Sequence, residues 1–429
     1  MNEQSVILKH LETDYSEPIR DPLWRHIYLS AGFKKLVDHP LFQKLGGIKQ
    51  LGPTYLVYPG ATHTRLNHSL GVFYLAKKMI HTLLLSNRIE EISLVGIKSF
   101  LAAALLHDLG HFPFAHSLKE LPLKTHETLT AEIILSSSIK KIIKMEIGAD
   151  PEITSSIINS KLPVPRWEVL FFRNLLSGVL DPDKLDYLNR DAYFCGVPYG
   201  LQDIDFILSR IVFHENKGIA LQIQGLPAVE NILFSKYLMY RNVYWHRTVR
   251  VATAMIKKAV FMGIRSEIIK SEELYGLDDQ EFFSSFSKKL KSLQSLVEDV
   301  LLRRLYKTVY EKTFSGEDPF HTGIVDLEKR LIAENRIAEF LSSQLNFPVP
   351  GESVIIDIPE PISFEIDLPI QGDEEFLPFI RSGSVFNPSV VKSFVDSLRK
   401  VRIMVKPQIA GEISRHKELL PGIERSFQN

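Results

Sequence analysis

The sequence predicts a mainly α-helical protein with one small β-hairpin and a C-terminal α+β lobe. Three observations carry that reading. Between residues 65 and 270, long stretches place apolar residues at helical spacing. One segment, "KGIALQIQG", is short and alternating, as a strand beside a turn is. After about residue 350 the character changes: "SVIIDIP", "SFEIDLPIQG" and "VRIMVKP" read as strands, with one helix in "PSVVKSFVDSLRKV".

The chain has 429 residues, enough for a large helical domain with an appended lobe. An apolar fraction of 45% with 24% charged residues is that of a folded, soluble protein. Lysine plus arginine equals aspartate plus glutamate, 51 each, which argues against a nucleic acid as the main ligand. Cys195 is the one cysteine, so intrachain disulfides and a Cys-rich zinc site are excluded and a cytoplasmic setting is expected. The first residues lack the basic start and apolar run of a signal peptide, and no run of about 18 apolar residues suggests a membrane span.

In chain order, residues 1–20 read as an extended arm with "VILKHL" as a short strand. "DPLWRHIYLS" and "GFKKLVDHPLFQKLGGIKQLG" read as short helices broken at Pro40, Gly46-Gly47 and Gly52-Pro53. "THTRLNHSLGVFYLAKKMIHTLLLSN" repeats apolar residues at Leu70, Phe73, Leu75, Met79 and Leu83, a helix. "EISLVGIKSFLAAALLHDLG" is apolar on nearly every side and should be a buried central helix, with Gly110 as its C-terminal cap. Further helices follow in "HETLTAEIILSSS", "DPEITSSIINS", "EVLFFRNLLSG", "DPDKLDYLNRDAYFCG" and "DIDFILSRIVF". A long helix is expected from "AVENILFSKYLMYRN" to "FMGIRSEII", and two or more from "DDQEFF" to "VYEKTF". The boundaries read as 1–45 for the arm and short helices, 46–270 for the core, 271–345 for a helical extension and 346–429 for the lobe.

His68, His107, Asp108 and Asp183 each lie near the end of an expected helix. Side chains from the ends of packed helices can converge on one point. Two imidazoles and two carboxylates suit a divalent ion with open coordination positions, which can activate water and neutralise a phosphate oxygen. Burying an adjacent His and Asp unpaired would cost several kcal/mol. Capping or surface chemistry is the alternative for a His-Asp pair on its own.

"HTRLNHSLGV", "LLHDLGHFPFAH", "THE" and "LDPDKLDYLNRD", in that order, resemble the HD-domain metal-dependent phosphohydrolases. The nearest likeness is to the deoxynucleoside triphosphate triphosphohydrolase branch, which includes dGTPases. "DHPLFQKLGGIKQLG" and "VYPGATHTR" add to it, and the similarity covers roughly residues 15–260. The resemblance implies an HD-domain helical core and a hydrolase that splits a dNTP into deoxynucleoside and inorganic triphosphate. It implies metal ligands at His68, His107, Asp108 and Asp183. It also implies acid–base histidines at His111 and His126, with Glu127 beside the latter to orient it. His111 past a helix end could instead cap carbonyls, and His116 reads as support.

For the substrate, the resemblance implies Arg65 and Lys184 on the polyphosphate, Tyr187 and Asp191 on the sugar, and Gln50 and Leu51 near sugar or base. Asp183, Tyr187 and Asp191 share one helix face at i, i+4, i+8. Lys236, Tyr240 and Tyr244 share another. There the sequence departs from the family, which often carries arginine and histidine at the first two positions. Lys236 then acts as a point charge without a bidentate fork. A core aromatic stripe is the plain alternative for the tyrosines.

Asp38 and Gln43 match an allosteric nucleotide site of the vertebrate branch. Gly46 stands where that site has an arginine, and the upstream lysine is missing, so activation by another nucleotide, or none, fits as well as a guanine nucleotide. One divalent ion per subunit is implied (iron, manganese, magnesium or zinc), and a further magnesium ion is allowed on the triphosphate. A homodimer or homotetramer is implied too. The alternative is an HD phosphohydrolase acting on a nucleoside monophosphate, a cyclic dinucleotide or an alarmone. A non-hydrolytic binder on the same fold has no need of the His-His-Asp-Asp set.

Overall fold

The computed structural model describes residues 3–86, 89, 92–164, 166–289, 294–364, 366–372 and 375–428. Its centre is the helix Leu94–Leu106, in which Phe100 through Leu106 are all buried. Ser93 caps its start by accepting from Gly96 N at 2.9 Å. Arg65–Ser86 lies against it on one side and Pro151–Ile158 on another. The expected mainly helical core with its hairpin and C-terminal α+β region is what the chain forms.

Three sheets decorate the helices. Ile211–His214 and Gly218–Gln222 form the expected hairpin, and Gly218–Gln222 also pairs in parallel with Pro369–Gln371, which pairs with Phe376–Pro378. A second sheet runs Lys307–Thr313, Lys400–Val405, Val354–Asp357, antiparallel throughout. The C-terminal strands are thus stitched to the core hairpin on one side and to the helix Arg247–Arg265 on the other.

Several local expectations are corrected. Residues 3–13 are a helix, not an extended arm: Ile7 and Leu11, four apart, are its buried residues. "DPLWRHIYLS" is half of a β-hairpin, Glu17–Asp21 with Arg25–Leu29. Asp21 Oδ1 accepts from Leu23 N and Trp24 N at 2.9 and 2.8 Å, so the Asp-Pro pair builds an Asx turn rather than starting a helix. Lys307–Thr313 is a strand, because Lys400 and Arg402 opposite it pair with Glu311 and the cross-strand partners decide. In "SFEIDLPIQG" the strand is confined to Pro369–Gln371, and Glu365 lies outside the described residues.

The long helix expected through residues 228–269 is two helices, Leu226–Met239 and Arg247–Arg265, joined by a π-turn at Tyr240–Tyr244. The apolar segment near 281–305 is internal: Phe282, Phe286, Leu296, Val297 and Val300 are buried, while residues 290–293 lie outside the described set. No helix among the described residues is long and apolar enough to cross a membrane. Gly110 does not adopt a left-handed cap. A Cβ there would fall 2.4 Å from His126 O and 2.5 Å from Thr130 N, so this glycine lets the turn after Leu106 press against the helix His126–Ile134.

Candidate active site

Three helix ends meet at the floor of a cavity of about 650 Å³. His68 stands one turn into Arg65–Ser86, His107 ends Leu94–Leu106, and Asp183 sits in the first turn of Pro182–Cys195. Asp181 caps that last helix, accepting from Lys184 N at 2.6 Å, and Pro182 preorganises its first turn. One donor atom each from His68, His107 and Asp183 lies within 4.8 Å of the others.

The two imidazoles are held differently. His68 is buried and tied at both nitrogens, Nε2 to Asp183 Oδ1 at 2.9 Å and Nδ1 to Asp186 Oδ2 at 2.8 Å. Burial would lower its pKa, but the hydrogen bonds to the two carboxylates outweigh it and hold the ring near 10. His107 donates from Nδ1 to Ala104 O at 3.0 Å, which leaves Nε2 as the nitrogen with a lone pair. That atom is buried and has no hydrogen-bond partner among the described residues. An orphaned imidazole nitrogen beside a second imidazole and a carboxylate fits a divalent cation.

Asp186 anchors this group from behind. Besides His68 it binds Arg190 through Nε and Nη2 at 2.8 and 2.9 Å, and Trp24 Nε1 at 2.5 Å. Arg190 in turn binds Asp21 at 2.8 Å, and all three ionised groups are buried. Burial would raise the Asp186 pKa, yet the Arg190 guanidinium and the His68 bond bring it down to about 2. Gly71 makes room: a Cβ there would fall 1.9 Å from Asp186 Oδ1. Neither Asp186 nor Arg190 was expected as a site residue. Asp186 lies three residues after Asp183 on one helix face, and that spacing was the available signal.

Asp108 is placed one step aside. Its Oδ2 accepts from Arg65 Nη1 at 2.6 Å. Its Oδ1 lies 3.1 Å from His111 Nδ1 and 3.4 Å from His107 Nε2, between the first group and a second one formed with His111 and His126. His111 and His126 approach ring to ring at 3.9 Å, and His116 Nε2 stands 3.2 Å from His111 Nε2. Burial pushes His126 down to about 4 and His111 well below the usual imidazole range. Glu127 Oε1 is 3.3 Å from His126 Nε2. His116, read as support from sequence, is exposed to the cavity as a member of this cluster.

The walls carry most of the remaining expected residues: Gln50, Leu51, Arg65, Tyr187, Asp191, Lys236, Tyr240 and Tyr244. Asp191 is locked by Tyr244 OH at 2.7 Å and His63 Nε2 at 2.8 Å. His63 also was not expected. The π-turn brings Tyr240 and Tyr244 edge to face at 5.1 Å, which a regular helix would not do in the same way. Lys236 Nζ donates to Ser363 O at 2.8 Å. Lys184 is off the wall, its Nζ bound to Gly178 O and Asp181 Oδ2 at 2.8 and 2.6 Å. Asp38 and Gln43 lie outside the cavity, Asp38 on Lys34 and Gln43 on Val37 O.

The fold and this donor set define a class: helical proteins that gather imidazoles and carboxylates in a polar cavity. Residues 65–168 match the HD domain, and residues 203–383 match the HD associated region. An uncharacterized protein of Methanocaldococcus jannaschii is 33% identical over 363 residues, 83% of this chain and 72% of that one. The chain belongs to the HD-domain phosphohydrolase family. Asp183 lies between the two matched spans.

Deoxynucleoside triphosphate triphosphohydrolase SAMHD1 of Homo sapiens is 28% identical over 360 residues, 72% of this chain but 57% of that protein. A solved hypothetical protein of Aquifex aeolicus superposes with a TM-score of 0.70 at 28% identity, covering 92% of this chain and 98% of that one. A phosphohydrolase of Bacteroides thetaiotaomicron, at 24% identity, shares the fold with a TM-score of 0.68, covering 90% and 99%.

Proposed function

We propose that the protein hydrolyses deoxynucleoside triphosphates to deoxynucleoside and inorganic triphosphate. The observation that carries this reading is the orphaned His107 Nε2 facing His68 and Asp183 at the floor of a cavity of nucleotide size. The likeness to the human triphosphohydrolase supports the choice of dNTP over other nucleotides.

His68, His107 and Asp183 would hold a divalent ion, with Asp108 beside them. Such an ion supplies Lewis acidity toward a phosphate oxygen and an acidified water. The chain's own residues do the rest. Asp186 fixes the His68 ring and its tautomer. Arg65, anchored on Asp108, presents a fixed positive charge to the phosphates. The His111–His116–His126 cluster handles the proton at the 5′-oxygen as the bond to the α-phosphorus breaks, and Glu127 orients His126. Asp191, fixed by Tyr244 and His63, accepts a hydrogen bond from the sugar. Tyr244, on the same wall and bonded to Asp191, would stack beneath the sugar ring and disfavour a 2′-hydroxyl.

Incubation of the full chain with each dNTP and Mn²⁺ or Mg²⁺, with products followed by ³¹P NMR, tests the assignment. Free triphosphate and deoxynucleoside are expected. Release of pyrophosphate or monophosphate alone moves the protein to another phosphohydrolase reaction. A nucleoside monophosphate, a cyclic dinucleotide and an alarmone belong in the same panel.

A further inference from the structure

The cavity has a second charged corner that neither the motifs nor the proposed reaction uses. Lys119, Arg250 and Glu360 all line it, from three different parts of the chain. Arg250 is buried, and Asp357 grips it through Nε and Nη2 at 2.9 and 2.6 Å, so its guanidinium plane is fixed. Behind it, Lys257 and Arg330 share Glu120, each at 2.9 Å. With Lys119, and with Arg399 and Arg402 also within electrostatic reach, cations outnumber the carboxylates Glu120, Asp357 and Glu360. The corner therefore keeps a net positive charge even with Glu360 ionised, and removing Glu360 would raise it.

Glu360 and Lys119 differ from their neighbours. Among the described residues neither makes a hydrogen bond or a close ion pair. Both are nonetheless within electrostatic reach of each other, and Lys119 also acts on His126. Burial raises the Glu360 pKa, against the pull of Lys257 and Arg250. A carboxylate placed in a cavity with no bonding partner is costly to hold there unless something in the corner wants an anion.

The segment that carries Glu360 is a strap without regular structure. Its ends are pinned: Ile358 and Phe364 are buried, and Arg399 Nε donates to Pro359 O at 2.8 Å. In between, Ser363 O accepts from Lys236 Nζ at 2.8 Å, so the strap also engages a lysine assigned to the phosphates. Pro361 and Ser363 are exposed.

We infer that Lys119 and Arg250 form an anion subsite for the polyphosphate tail, and that Glu360 on the strap is its built-in counter-ion, which an incoming polyphosphate must displace. This rests on the phosphohydrolase reading of the cavity, not on the identity of the nucleoside. Arg250, its fork held by Asp357, offers a fixed guanidinium charge, and Lys119 a mobile point charge. Lys184, turned onto Asp181, leaves the tail in need of another cation. Glu360 would then set how tightly polyphosphate binds, by like-charge repulsion and by the cost of moving the strap.

Equilibrium binding of inorganic triphosphate to the full, metal-loaded chain tests this by calorimetry. Glu360→Gln should bind about three- to tenfold more tightly than the parent, and Lys119→Met weaker by a similar factor. Unchanged or weaker binding by Glu360→Gln overturns the inference, as does unchanged binding by Lys119→Met. If Glu360→Gln alters the KM for a dNTP but not the affinity for triphosphate, Glu360 contacts sugar or base and the subsite is refuted. The measurement needs no turnover. Affinities that shift as expected without dNTP cleavage leave the subsite standing while the reaction assignment falls.

Discussion

The two ends of the cavity are built on opposite principles. At the metal end, one donor is backed by a buried ionic chain: His68 by Asp186, Asp186 by Arg190, Arg190 by Asp21. That chain runs from the N-terminal hairpin through two helices and fixes the His68 ring. At the far end, Lys119 and Glu360 face the cavity without bonding partners among the described residues, and Glu360 rides on an irregular strap. On the proposed reading the first end holds one geometry and the second exchanges one anion for another. Rigid positioning suits the reacting atoms, whereas an adaptable corner suits the tail of a flexible polyphosphate.

The comparison breaks most sharply at Asp186. Asp186→Asn removes the charge between His68 and Arg190 and leaves Arg190 buried with Asp21 alone. A stability loss of about 3 kcal/mol is expected, because one partner of a buried ionic set is gone. Metal affinity should fall on the order of 10–100-fold, since the group that orients a ligating imidazole is lost. Urea unfolding and a metal titration measure the two effects. A variant as stable as the parent would show that the buried chain is not what fixes this end.

Lys119→Met should do the reverse. With no bond to lose, it should change stability by less than about 0.5 kcal/mol in the same urea titration. A loss comparable to that of Asp186→Asn would mean that Lys119 is part of a structural network, and the contrast between the ends would fail.

This contrast also governs how much of the molecule was legible in the sequence. His68, His107 and Asp183 could be read because they sit at the ends of strongly periodic helices, where polar residues need a reason. The central helix and the Gly218–Gln222 hairpin strand could be read for the same cause: one unbroken periodicity each. Asp186 cannot be told from an ordinary i,i+4 pair with Arg190 by sequence alone, and packing against Arg65–Ser86 buries both. The N-terminal hairpin was misread because its Asp-Pro turn imitates a helix start. The strap could not be read at all. Glu360 is more than 100 residues from Lys236 and Arg250, in a segment with no period, and only strand pairing of Val354–Asp357 with Lys400–Val405 carries it to the cavity.

The central claim is that the His68–His107–Asp183 group is a metal centre serving phosphate chemistry. The most direct measurement is the metal content of the purified, metal-loaded chain by mass spectrometry, beside that of His107→Ala. About one tightly held divalent ion per chain is expected, lost in His107→Ala while the far-ultraviolet circular dichroism stays that of a folded helical protein. Equal metal content in the two proteins, or none in the parent, would contradict it.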